Sequence, residues 1–170
     1  MSTNTSNATT PAPSTGATSE VDAALARLAD VVGQISDADL HRAARGGGWT
    51  VAQVISHINL CTLIWLGDLE RLRRDPELRF FFREEIGHDA TGYPPPTVDI
   101  ARRQLESTRR TIATTLPVTD HDLLARTVEI PDLGTRTIAD WAGIIDGHLT
   151  GHVEQALDVL RDRGVAAPGL

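Results

Sequence analysis

Four stretches of helical periodicity, each closed by a proline, a glycine or a polar turn, constrain this chain more than any other feature. The clearest begins at Trp49. Thr50 and Gln53 have the spacing of a capping box, and Trp49 with Val54 the spacing of a hydrophobic staple across it. Apolar residues follow at Val51, Val54, Ile55, Ile58, Ile64, Leu66, Leu69 and Leu72, which is the recurrence of a helix face packed on a core. Pro76 ends the run, because its ring forbids a helical conformation at the residue before it. The spacing predicts a helix of roughly 25 residues, or about 37 Å.

Three further helices complete the pattern. One follows Ser19, with Val21, Leu25, Leu28, Val32 and Ile35 on its apolar face and Arg27 and Asp30 left to solvent. Another runs from about Thr97 to Leu116, where Pro117 stops it, and its arginines imply a broad wet face. The last opens on a second capping box, Thr137 and Asp140, and ends near Arg163 before Gly164. Between the first two lie a turn, a short helical piece and a hinge at Gly46-Gly47-Gly48. Residues 75–96, with Phe80-Phe81-Phe82 and Tyr93-Pro94-Pro95-Pro96, form a long crossover loop, and Val128 to Gly134 form a short extended ribbon. The expected fold is therefore all-α, a four-helix bundle over residues 19–165. Residues 1–18 are Ser, Thr, Asn, Ala, Pro and Gly almost throughout and are expected to be a disordered tail.

Composition narrows the function. Aromatic residues are 4% of the chain, so the core rests on Leu, Ile, Val and Ala. A net charge of −7 disfavours nucleic acid and anionic membranes as partners. All basic residues are arginine, which removes Schiff-base lysine chemistry and a P-loop lysine. The single cysteine, Cys61, rules out an intrachain disulfide framework and suits a reducing cytosol. With neither a signal-peptide pattern nor an apolar run near 20 residues, a cytoplasmic protein is expected.

Of six histidines, three have a setting that matters. His148 and His152 stand four apart on the last helix, so both rings project from one face, a spacing that grips a metal ion. Leu149-Thr150-Gly151 separates them, and the Glu of the metalloprotease motif is absent. The bland alternative is two polar residues on a solvated stripe, but Trp141, Ile144, Ile145, Leu149 and Val153 surround them. His57 lies between Ile55 and Ile58 in the most apolar part of the second helix; alone, it reads as a satisfied core histidine. Three inward imidazoles on two helices each require a buried partner or a shared metal. Zinc suits such a set, with nickel or ferrous iron also compatible, and three ligands leave one position open. Cys61, one turn beyond His57, is either a small core residue or a thiolate that closes that position. Gly143, Gly147 and Gly151 recur along the last helix and imply close approach by a neighbouring helix or a second subunit.

These segments resemble a known family. Trp49-Thr50-Val51-Ala52-Gln53-Val54-Ile55-Ser56-His57 is similar to the "W-[ST]-x-x-x-[LIV]-[LIV]-x-H" segment of the DinB/YfiT-like superfamily. Thr137-Ile138-Ala139-Asp140-Trp141, leading to His148, His152 and Gln155, is similar to its closing segment. The resemblance covers about Val21 to Arg163. It implies a bundle with a divalent metal on His57, His148 and His152, often in a homodimer. It also implies kinship with transferases and isomerases that use mycothiol or bacillithiol, including the N-terminal domains of maleylpyruvate isomerases. Some thiol-dependent relatives carry a carboxylate where this chain has His148.

Two functions follow as expectations. The first is a metal-dependent enzyme that activates a low-molecular-weight thiol or water for transfer to a small electrophile; Arg83, His88, Tyr93 and His121 are loop residues with the chemistry to bind substrate or shuttle protons, though plain polar surface is the more ordinary reading of each. The second is a metal-bearing binding or stress module without turnover. A bundle whose histidines merely hydrogen-bond is the plainest alternative to both.

Overall fold

The computed structural model describes residues 15–75, 77, 96–115, 121–130 and 134–170. Four long helices dominate: α1 (Thr15–Val32), α3 (Val51–Arg74), α4 (Val98–Thr115) and α6 (Ile138–Asp162). Two short helices, α2 (Asp37–Leu40) and α5 (His121–Ala125), lie in the connections. Strands β1 (Thr127–Ile130) and β2 (Gly134–Thr137) pair antiparallel, with Val128 opposite Arg136. This hairpin is the predicted ribbon, and it delivers the chain directly to the cap of α6. Helix α1 packs on α4 and α6, and so does α3, so α1 and α3 sit diagonally across the bundle.

The caps form as their spacing predicts. Thr50 Oγ1 accepts from the Gln53 amide at 3.1 Å while Gln53 Oε1 accepts from the Thr50 amide at 2.7 Å. Thr137 and Asp140 make the same reciprocal pair at 3.0 and 3.1 Å. Helix α6 ends in a complete Schellman motif: Gly164 (φ 67°) donates to Arg161 O at 2.9 Å and Val165 donates to Leu160 O at 3.1 Å. Gly46, Gly47 and Gly48, with φ of 88°, 97° and 104°, turn the chain into α3 through backbone that a side chain would strain.

The core is aliphatic, as the composition predicts. Val21, Leu25, Leu28 and Val32 of α1 are buried, as are Val51, Val54, Ile55, Ile58, Leu69 and Leu72 of α3 and Leu149, Val153 and Leu157 of α6. The apolar face of α3 differs in its middle: Trp65 is buried and Ile64 and Leu66 only half-buried. One turn after Cys61, position 65 continues the inward stripe of 54, 58 and 61, and the ring is large enough to reach α6. Arg27 is not simply solvated, since it reaches Glu154 of α6 at 3.1 Å and the carbonyl of Gly169 at 2.9 Å.

The first helix spans Thr15–Val32, and residues 1–14 of the expected tail lie outside the described residues. So do residues 76 and 78–95 of the expected crossover loop. Among the described residues, the glycines of α6 do not bring a neighbouring helix of this chain close. Gly143, Gly147 and Gly151 are exposed, and a Cβ built at each meets no atom within 4 Å. They face away from Trp141, Leu149 and Val153, which carry the packing. Among the described residues, no helix is long and apolar enough to cross a membrane.

Candidate metal centre

The cap at Thr50 sets the phase of α3, and two turns later that phase turns His57 inward, where it is 8% exposed. The cap at Thr137 does the same for α6, whose His148 and His152 follow on one face and are half-buried. Where the two helices pack, His57 Nε2 and His148 Nε2 approach to 3.1 Å across 91 residues of sequence. The His152 ring closes the triangle, with its centroid 4.3 Å from that of His148 and 4.5 Å from that of His57. The three rings singled out in the sequence are therefore neighbours, while the donor atoms that lie within 4.8 Å of one another among the described residues belong to His57, Cys61 and His148.

Each ring is held by a neighbour. Gln155 Oε1 lies 2.7 Å from His152 Nδ1; because a carbonyl oxygen only accepts, Nδ1 is the donor in this contact, and in the neutral ring the lone pair is then on Nε2. Trp49 lies parallel to His152, with centroids 5.8 Å apart and planes 6° apart, and meets His57 edge-on at 4.8 Å. Trp65 meets the His148 ring edge-on at 5.1 Å from the opposite side. Two indoles thus limit water around the imidazoles, and low local dielectric strengthens any charge interaction among them. Cys61 completes the cluster, with Sγ 3.4 Å from His57 Nε2.

Burial, and then repulsion from a charged His152 or His57, pushes the pKa of His148 down to about 4. His148 is therefore neutral near pH 7 and presents a lone pair. Burial pushes the Cys61 thiol up to about 11, so in the absence of a cation it stays protonated. Two nitrogens bound tetrahedrally to one ion at ~2.0–2.1 Å would stand about 3.3 Å apart. The observed 3.1 Å is close to that spacing, and it equally suits one proton shared between two neutral rings. The donor set of imidazoles and one sulfur fits a borderline ion such as zinc.

The loop residues expected near substrate do not join the cluster among the described residues. His121 begins α5 and is exposed, while Arg83, His88 and Tyr93 lie outside the described residues. Sequence reasoning missed the two indoles as ring walls. Trp49 was legible only as a staple residue, and Trp65 lacked a partner until α6 was placed against α3. Gln155 was visible as part of the closing segment, but its hold on His152 follows from helical i,i+3 geometry, a signal the sequence does carry.

On the exposed side of His152, a cleft of about 490 Å³ is lined by Arg45, Gly47, Gly48, Trp49, Gly151 and Gln155, among others. An apolar hollow of about 30 Å³ lies beyond Trp65, between Leu69, Ile112, Leu124 and Trp141. Asp146 lines its edge, and burial raises that carboxyl above its ordinary value.

Comparison with known proteins places this architecture. The solved structure of YfiT from Bacillus subtilis, described as a probable metal-dependent hydrolase with an unusual four-helix bundle topology, superposes with a TM-score of 0.68. The match covers 93% of this chain and 95% of that one at 17% identity, so it bears on the fold. No curated protein matches the chain. The model of the DinB superfamily matches residues 20–156, which takes in both capped helices and all three histidines, and the chain belongs to that superfamily.

Proposed function

We propose that His57, His148 and His152 hold one divalent metal ion, most suitably zinc, and that the centre activates a low-molecular-weight thiol or water for transfer to a small electrophile. The observation that carries this reading is the 3.1 Å approach of His57 Nε2 to His148 Nε2, with the His152 ring beside both. Two further points support it. YfiT, of the same fold, is described as a probable metal-dependent hydrolase. The family resemblance also extends to thiol-dependent transferases and isomerases, whose nucleophile is a sulfur.

A divalent ion held here would supply a Lewis acid that lowers the pKa of a bound thiol or water toward neutrality. The chain's own residues do the rest. Gln155 engages Nδ1 of His152 and so leaves Nε2 for the ion, Trp49 and Trp65 fix ring orientation and exclude water, and burial keeps His148 uncharged. The cleft beside Trp49 and Gln155 gives a small molecule a route to the exposed edge of the cluster. A homodimer and a cytosolic location belong to the same reading, and sedimentation of the purified chain checks the first.

Metal content tests the proposal. Untagged wild-type protein is expected to bind one zinc per chain, and His57→Ala and His152→Ala to lose it while keeping helical circular dichroism. A wild type that binds no more zinc than these variants would leave only hydrogen-bonded histidines.

A further inference from the structure

The proposed centre uses three imidazoles, yet a fourth donor stands in the same cluster. Cys61 follows His57 by one turn of α3 and is 4% exposed. Its Sγ lies 3.4 Å from His57 Nε2 and 3.8 Å from Nδ1, so the sulfur sits on the side of the ring that faces His148. One donor atom from each of His57, Cys61 and His148 falls within 4.8 Å of the others. A sulfur at ~2.3 Å and a nitrogen at ~2.0–2.1 Å on a shared tetrahedral ion would be about 3.6 Å apart. The sulfur–nitrogen and nitrogen–nitrogen spacings thus both fall within a few tenths of an ångström of shared-ion values. His152 is outside that group of three, its ring half-buried and its Nδ1 held by Gln155, whereas Cys61 is buried.

We infer that Cys61 is the fourth ligand of this centre, so that the resting ion is held by three imidazoles and one thiolate. The inference rests on the three-histidine reading. Ligation replaces the S–H bond with a sulfur–metal bond; the proton leaves to solvent and no electrons change hands. Metal uptake therefore releases one proton more than the same site without the cysteine. It also narrows the substrate class. With sulfur already at the fourth position, the exogenous ligand matched in softness to exchange with it is another thiol, whose proton would pass to the released Cys61 sulfur, and water is a poor competitor.

Cobalt(II) titration of the full chain in thiol-free buffer tests this. Wild type is expected to bind one Co(II) per chain with a strong thiolate-to-cobalt charge-transfer band in the near ultraviolet. Because Cys61 is the only cysteine, that band has a single source within the chain. Proton release near pH 7 is expected to exceed that of Cys61→Ser by one per ion. Co(II) bound without the band overturns the inference and leaves the three-histidine site standing, and the wild-type spectrum decides this even if the variant fails to fold. No Co(II) bound by wild type overturns both.

Discussion

Gln155 Oε1 and His152 Nδ1 are 2.7 Å apart, three residues apart on α6, and this contact decides which nitrogen of His152 is available. With the amide oxygen as acceptor, Nδ1 is protonated and Nε2 is left as the donor toward any cation. Such supporting contacts typically carry ~10–100-fold in metal affinity. Gln155→Leu is therefore expected to weaken zinc binding by about 10–100-fold, as read by competition with a chromophoric chelator. Gln155 is exposed, so the melting temperature of the metal-free protein should move little. Unchanged affinity would show that His152 needs no orienting partner.

Trp65 joins packing to the site. It is 7% exposed and turns its edge to the His148 ring. Trp65→Ala removes a large buried ring between α3 and α6, at an expected cost of about 3–5 kcal/mol in urea unfolding of the metal-free protein. Trp65→Phe should keep most of that stability. A cost below about 1 kcal/mol for the alanine variant would place the ring outside the packed core.

Asp22 of α1 and Arg109 of α4 form a two-pronged pair, with Nε to Oδ1 at 2.8 Å and Nη2 to Oδ2 at 2.9 Å. The hydrogen bonds from Arg109 hold the Asp22 carboxyl below its ordinary value of 3.8. A depressed acid stabilises the folded state above its unfolded pKa and loses that contribution as pH falls through the folded one. Both side chains are partly exposed, so Asp22→Asn should cost no more than about 1 kcal/mol at pH 7. The gap to wild type should persist down to pH 3.8 and close below it. High salt should shrink it, because exposed pairs are screened. Thermal melts across pH 2–7 check all of this, and a gap that survives at the acid end would contradict it.

Gly147 sits inside α6 with open space where a Cβ would go. Glycine in a helix interior is less favourable than alanine by about 0.5–1 kcal/mol. Gly147→Ala is therefore expected to raise the urea midpoint by an equivalent amount. A loss of stability that is present in concentrated protein and fades with dilution would instead show that a second subunit covers this face.

How much of this was legible in the sequence varies by element. The two capping boxes announced the starts of α3 and α6 to the residue, because capping is a matter of three or four neighbouring side chains. Pro76 marked the end of α3 one residue beyond its observed cap at Asp75, and Gly164 marked that of α6, for equally local reasons. The paired facing of His148 and His152 follows from helical pitch alone. The inward turn of His57 follows from the apolar residues around it. The glycine stripe left its partner open, because periodicity shows that residues share a face but not what covers it, and among the described residues no other helix of this chain does.

The sequence by itself thus determined the helices, their limits and the inward direction of three histidines, all of which depend on contacts within about one or two turns of chain. Only the tertiary structure decided that α3 and α6 pack side by side, so that His57 meets His148 at 3.1 Å, Cys61 joins them, and Trp49 and Trp65 enclose the rings. Those relations span tens of residues. They depend on how whole helix surfaces fit together, a property that no local pattern encodes.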